Sequence, residues 1–151
     1  MKKAVAGIFR NNDNEFLLMY HNVMKAFTPP GGKFDPQFDI STMDTLKREM
    51  KEEIDIKIND DDIYKINTSV IYLDNMGNYI LDTFFINSPN IIPINMEPEK
   101  HTGLGWYSLD DMKMMFSKSY SAKIIEDSHL CLDEYIEYHN RSKYTSVYLS
   151  L

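Results

Sequence analysis

The chain has a single cysteine, Cys131, so no intrachain disulfide can form and the fold must rest on a packed core. Basic residues are the minority: 16 Lys and Arg stand against 23 Asp and Glu, a formal charge of −7. With no Lys/Arg run to follow a phosphate backbone, stable binding to a nucleic-acid duplex or an anionic membrane is not expected. No apolar stretch is long enough to span a bilayer, and the opening Met1-Lys2-Lys3-Ala4-Val5-Ala6-Gly7-Ile8-Phe9 reaches Arg10 before a signal-length segment develops. The expectation is a reducing, cytoplasmic setting in which Cys131 is a small buried hydrophobe.

What is present suits one compact domain over 1–151. The chain is 43% hydrophobic and 13% aromatic, enough for a substantial core. Its abundant Asn, Ile, Lys, Asp and Tyr fit an AT-rich genome. Residues 3–9 and 15–20 are apolar runs separated by Asn11-Asn12-Asp13-Asn14, which predicts a β-hairpin. Pro29-Pro30-Gly31-Gly32 excludes helix and regular central strand, and its glycines let the backbone approach a ligand closely. Ser41, with Asp44 three residues on, predicts a capped helix running to about Ile54. Residues 63–73 and 79–87, with Asn75-Met76-Gly77-Asn78 between them, predict a second hairpin. Residues 88–105 read as a long loop, Trp106-Tyr107-Ser108 as a strand, and Leu109-Asp110-Asp111 as a helix start. Ile124, Ile125, Cys131, Leu132, Tyr135 and Ile136 have the spacing of an amphipathic helix over 121–139. Asp60-Asp61-Asp62 reads as a solvated turn. Phe27, Tyr20, Tyr72 and Phe84 read as core packing, Trp106 as a core anchor.

The helix carries the chemistry. At about 100° per residue, Glu49, Glu52 and Glu53 occupy an arc of roughly 100°, beside an arc of roughly 80° holding Met43, Leu46, Met50 and Ile54. The same residues would suit an ordinary solvated helix, and a Pro-Gly-Gly loop is usually a mere turn. Together they suggest a cation site: like charges four residues apart oppose each other unless a cation joins them. Oxygen-only ligands favour Mg²⁺, with Mn²⁺ able to substitute, and such an ion would reconcile an acidic chain with a phosphate substrate. Arg48 could orient a glutamate through a bidentate pair. Among His21, His101, His129 and His139, only His101 lies near the acidic loop.

Arg48-Glu49-Met50-Lys51-Glu52-Glu53-Ile54-Asp55-Ile56 resembles the second half of the box of the Nudix hydrolases, G-x5-E-x7-R-E-U-x-E-E-x-G-U, with Pro30-Gly31-Gly32-Lys33 similar to its opening loop. Asn95-Met96-Glu97-Pro98-Glu99-Lys100 and Trp106-Tyr107-Ser108-Leu109-Asp110-Asp111 look like a segment of MutT-like members acting on nucleoside triphosphates. The resemblance implies an α/β (α+β) fold with a mixed β-sheet sandwiched between helices. It also implies metal ligation by Glu49, Glu52, Glu53 and the Gly31 carbonyl, with Glu97 or Glu99 supplying a later carboxylate and Glu97 ranked first. Glu49, Arg48 and Glu52 would be catalytic, Glu49 as ligand or general base and Arg48 as its orienter. The implied activity is Mg²⁺-dependent cleavage of a nucleoside diphosphate linked to another moiety: a nucleoside triphosphate, ADP-ribose, FAD or a dinucleoside polyphosphate. The alternative is a non-catalytic domain that senses a nucleotide. In either case the partner would be a small-molecule nucleotide, and the protein a monomer or homodimer. Two departures bear on the loop. Fifteen residues separate Gly32 from Arg48 where the family has thirteen, so the box's first glutamate falls on Phe38 or Ile40, with Asp39 between them as substitute. Asp55 stands where the family has a glycine suited to a left-handed helix end.

Overall fold

The computed structural model describes residues 2–73 and 77–111. The chain runs β1 (Lys2–Phe9), β2 (Glu15–His21), β3 (Ala26–Thr28), β4 (Gly31–Lys33), α1 (Thr42–Ile54), β5 (Ile63–Leu73), β6 (Gly77–Ile86) and β7 (His101–Ser108). One mixed sheet has the order β4-β1-β6-β5 and a smaller sheet the order β3-β2-β7. β1 and β6 pair in parallel, from Lys2 opposite Tyr79 to Phe9 opposite Ile86; β4 and β5 flank them antiparallel. The architecture is α+β. The helix expected over 121–139, with Cys131, His129 and His139, lies outside the described residues, as do Asn75 and Met76 of the turn expected at Asn75-Met76-Gly77-Asn78.

β1 is the central strand, and both of its faces are covered. Val5 and Phe9 join Leu46, Met50 and Ile54 of α1 in one cluster that reaches Leu17 and Met19 of β2. On the other face Ile8 packs with Phe16, Leu18 and Phe85, while Ala4 and Ala6 meet Ile71, Tyr79 and Leu81. Such burial on both faces is why β1 reads as a continuous apolar run. Gly7 allows α1 to settle on it: a Cβ there would stand 3.0 Å from Ile86 Cδ1 and 3.2 Å from both Leu46 Cδ1 and Met50 Sδ.

The hairpin of β5 and β6 forms as predicted, with a bulge between Lys65 and Asn67. Phe84 is core, and Trp106 packs partly buried against the same cluster; Tyr20 and Phe27 meet edge to face. The first hairpin does not form. β1 and β2 lie in different sheets, joined at this corner by a single bridge, Arg10 to Phe16, and by the Asn11 amide donating to the Glu15 carbonyl. Asn11 Oδ1 instead accepts from the Asp13 and Glu15 amides, a turn that lets the chain change sheets. The Pro-Gly-Gly segment takes no central-strand position, as expected, but its second half is a strand rather than a loop or turn. Prolines end at its first half, and Gly31–Lys33 forms a short edge strand on β1, a place where missing donors are tolerated. β7 begins at His101 rather than Trp106, and Asp60–Asp62 is one short helical turn. No helix among the described residues is long and apolar enough to cross a membrane.

Candidate active site

α1 starts and stops as its sequence dictates. The Ser41 side chain accepts from the Asp44 amide while Asp44 accepts from the Ser41 amide, a reciprocal cap. Leu46, Met50 and Ile54 are fully buried, leaving the glutamate arc facing away from that cluster. At the far end Asp55 takes the left-handed conformation, φ 57°, and its amide donates to the Lys51 carbonyl.

The last carbonyls of a helix need outside donors, and here the loop before β7 supplies them. The Ile94 amide donates to the Ile54 carbonyl at 3.0 Å and the Met96 amide to the Glu53 carbonyl at 2.9 Å. This pins the loop to the helix end and carries Glu97 to Glu53. The Glu97 carbonyl then accepts from the His101 amide, so β7 starts with its histidine beside both carboxylates. Ligand atoms of Glu53, Glu97 and His101 lie within 4.8 Å of one another.

These residues border a cavity of about 380 Å³ between the two sheets, into which α1 presents Glu49, Glu52 and Glu53. Gly31 and Gly32 form its rim. The Gly31 amide donates to Glu53 Oε2 at 3.1 Å, and glycine is required at 31 because a Cβ there would lie 2.1 Å from the Val5 carbonyl oxygen; at Gly32 a Cβ would displace the Glu49 carboxylate, whose carbon would stand 2.2 Å away. Burial pushes the Glu53 carboxyl up to about 8, helped by the charges of Glu49 and Glu97 and opposed by the Gly31 amide. Burial likewise raises Glu49 to about 7, against the pull of Arg48. Buried, mutually repelling carboxylates of this kind are what a bound cation stabilises in their charged form.

The residues singled out from sequence do not all stand in the same place. Glu53 is buried; the Glu49 side chain is 13% exposed and that of Glu52 53%, which puts Glu52 at the cavity mouth. Of the two later glutamates, Glu97 lines the cavity and Glu99 is exposed. Gly31 faces Glu53 with its amide. Arg48 differs from expectation: its bidentate partner is Asp39, with Nε to Oδ1 at 3.0 Å and Nη2 to Oδ2 at 2.8 Å, while Nη1 alone serves Glu49 at 3.1 Å and Glu52 at 3.3 Å. Asp39 is buried and also accepts from Thr45 Oγ1 and the Asp35 amide. These bonds, the Arg48 one foremost, hold its carboxyl down at about 2. Lys33, Lys100 and Tyr79 also line the cavity. Nothing in their local sequence marks them, because their strands and loop meet only in the fold.

A model of the NUDIX domain matches residues 1–127. No curated protein matches the sequence significantly. Among solved structures, the fold is similar to the NUDIX domain of Shewanella oneidensis NrtR complexed with ADP ribose, at 18% identity and a TM-score of 0.72, covering 85% of this chain and 86% of that one. It is similar to a C. elegans Ap4A hydrolase at 19% identity and a TM-score of 0.64, over 87% and 99% of the respective chains. A MutT protein from Methanosarcina mazei matches at 20% identity and a TM-score of 0.64, over 94% of each chain.

Proposed function

Because this chain belongs to the Nudix family, we propose that it is a MutT-like pyrophosphohydrolase that uses Mg²⁺ to cleave the pyrophosphate bond of a nucleoside diphosphate linked to another moiety. The substrates that fit are a nucleoside triphosphate, ADP-ribose, FAD or a dinucleoside polyphosphate. Members of the family generally use a divalent metal. The observation that carries the reading is the convergence of Glu49, Glu53 and Glu97 with His101 and the Gly31-Gly32 backbone on one cavity.

The donor set fits a divalent cation, for which Glu53 and Glu97 would be ligands, joined by Glu52 and the Gly31 carbonyl. Bound there, a cation supplies Lewis acidity for the phosphoryl oxygen and a bound water of lowered pKa. The chain's own residues do the rest. Water attacks a phosphorus, its oxygen forms the new P–O bond, and the bridging P–O bond breaks with its electrons leaving on the departing phosphate. The proton goes to Glu49, whose raised pKa suits it to the role of general base near neutral pH. Arg48 keeps Glu49 and Glu52 turned toward the cavity, and Lys33 and Lys100 line it with charges suited to phosphate.

A panel of these nucleotides with Mg²⁺, read by chromatography of the products, tests the proposal. Turnover should release a nucleoside monophosphate, vanish in EDTA, and fall at least about a hundredfold in Glu53→Gln, a loss of about 2.7 kcal/mol in transition-state stabilisation. Full activity in that variant would remove Glu53 from the metal site. Tight nucleotide binding with no turnover across the panel would favour a sensing domain instead.

A further inference from the structure

His101 is the one nitrogen donor among the three groups that converge, and it lies outside the Arg48 to Ile56 segment that points to metal binding. Its side chain is almost completely buried. Nδ1 is enclosed without a hydrogen-bond partner, and Nε2 stands 3.9 Å from Glu53 Oε1, beyond hydrogen-bonding range. Buried imidazoles are normally held by a carbonyl, carboxylate or water, and leaving one unsatisfied costs about 1–3 kcal/mol. The fold nonetheless holds the backbone of this residue on both sides: the His101 amide donates to the Glu97 carbonyl, and its carbonyl accepts from Asn95 Nδ2 at 2.8 Å. His21, opposite it across the β2–β7 ladder, packs edge to face at 5.2 Å.

A cation bonded at about 2.1 Å separates opposite donors by about 4.2 Å and adjacent ones by about 3 Å. The 3.9 Å from Nε2 to Glu53 falls in that range, and the donors of all three groups lie within 4.8 Å of one another.

We infer that His101 is a nitrogen ligand of the cation held by Glu53 and Glu97, and that it tunes this centre toward transition ions such as Mn²⁺ and Co²⁺ relative to Mg²⁺. The inference rests on the reading above that the cavity holds a divalent cation. Imidazole binds first-row transition ions more strongly than it binds Mg²⁺, which prefers oxygen. An all-carboxylate site would lack that bias.

Pulsed electron paramagnetic resonance of the full chain with Mn²⁺ tests this without turnover. Wild type should show ¹⁴N modulation from one coordinated imidazole, replaced by the ¹⁵N pattern when histidine is ¹⁵N-labelled. His21→Gln should retain the signal and His101→Gln lose it. In calorimetric titrations, His101→Gln should weaken Co²⁺ binding at least about tenfold and Mg²⁺ binding less than about threefold. Bound Mn²⁺ without nitrogen coupling in wild type, or coupling that persists in His101→Gln, would overturn the inference and leave the metal reading standing. Failure of wild type to bind Mn²⁺, Co²⁺ or Mg²⁺ would overturn both.

Discussion

Arg48 pairs bidentately with a carboxylate other than the one its sequence neighbours suggest. Its guanidinium offers five donors in a rigid fork, and the adjacent glutamate is the obvious acceptor in sequence. In the fold the fork closes on Asp39, nine residues earlier, because the loop carrying Asp39 folds back over α1 while Glu49 turns into the cavity. The two extra loop residues leave Phe38 and Ile40 exposed and Asp39 inside. Removing Asp39 should therefore disrupt the loop more than the chemistry. Asp39→Ala is expected to cost about 2–3 kcal/mol, below the full value for a buried pair because Arg48 keeps some water contact, and denaturant titration will measure it. The pH sign follows from the depressed carboxyl. With a folded pKa of about 2 against 3.8 for the free group, the pair stabilises the protein above about pH 4 and loses that contribution as pH falls toward 2. Wild type should lose stability over that interval more steeply than Asp39→Ala.

At the scale of elements, α1 was readable because its signals are local. The cap at Ser41, the apolar stripe and the acid stripe each depend on residues within four positions of one another, so periodicity alone places them. The helix end was readable too: Asp55 takes the left-handed conformation that its position implied. Glycine adopts that conformation without a Cβ penalty. Asp55→Gly should raise stability by about 1 kcal/mol, little reduced by losing the exposed Lys51–Asp55 ion pair. A rise of several degrees in Tm would confirm it, and a fall would mean that the ion pair outweighs the backbone strain. Strand pairing was less legible. The apolar runs of β1 and β2 imply strands, but which sheet each joins depends on β6 and β7, more than 60 residues away.

For the whole molecule, the deciding feature is that α1, the loop at 94–97 and the first residue of β7 meet at one end of a cavity between two sheets. The resulting clustered charge is a cost in the metal-free protein that a cation would relieve. Saturating Mg²⁺ should therefore raise Tm, by linkage of binding to the folded state, and the shift should shrink in Glu53→Gln. The increment should be larger at pH 8 than at pH 6, since Glu53, raised to about 8, must release its proton before it ligates, and Glu49, raised to about 7, faces the ion with a negative charge only once deprotonated. A thermal scan in Mg²⁺ and in EDTA at both pH values checks this, and an equal shift in the variant would place the stabilising ion elsewhere. The amino-acid sequence alone specified the family, the acidic helix with its two ends, and Glu97 as a candidate alongside Glu99, because these rest on short-range spacing. The bidentate partner of Arg48, the placing of Glu97 inside and Glu99 outside, and the meeting of His101 with Glu53 were set by tertiary structure. The last two depend on hydrogen bonds from a distant loop to the open carbonyls at the end of α1, the first on the loop carrying Asp39 closing onto that helix, and local periodicity holds no trace of such contacts.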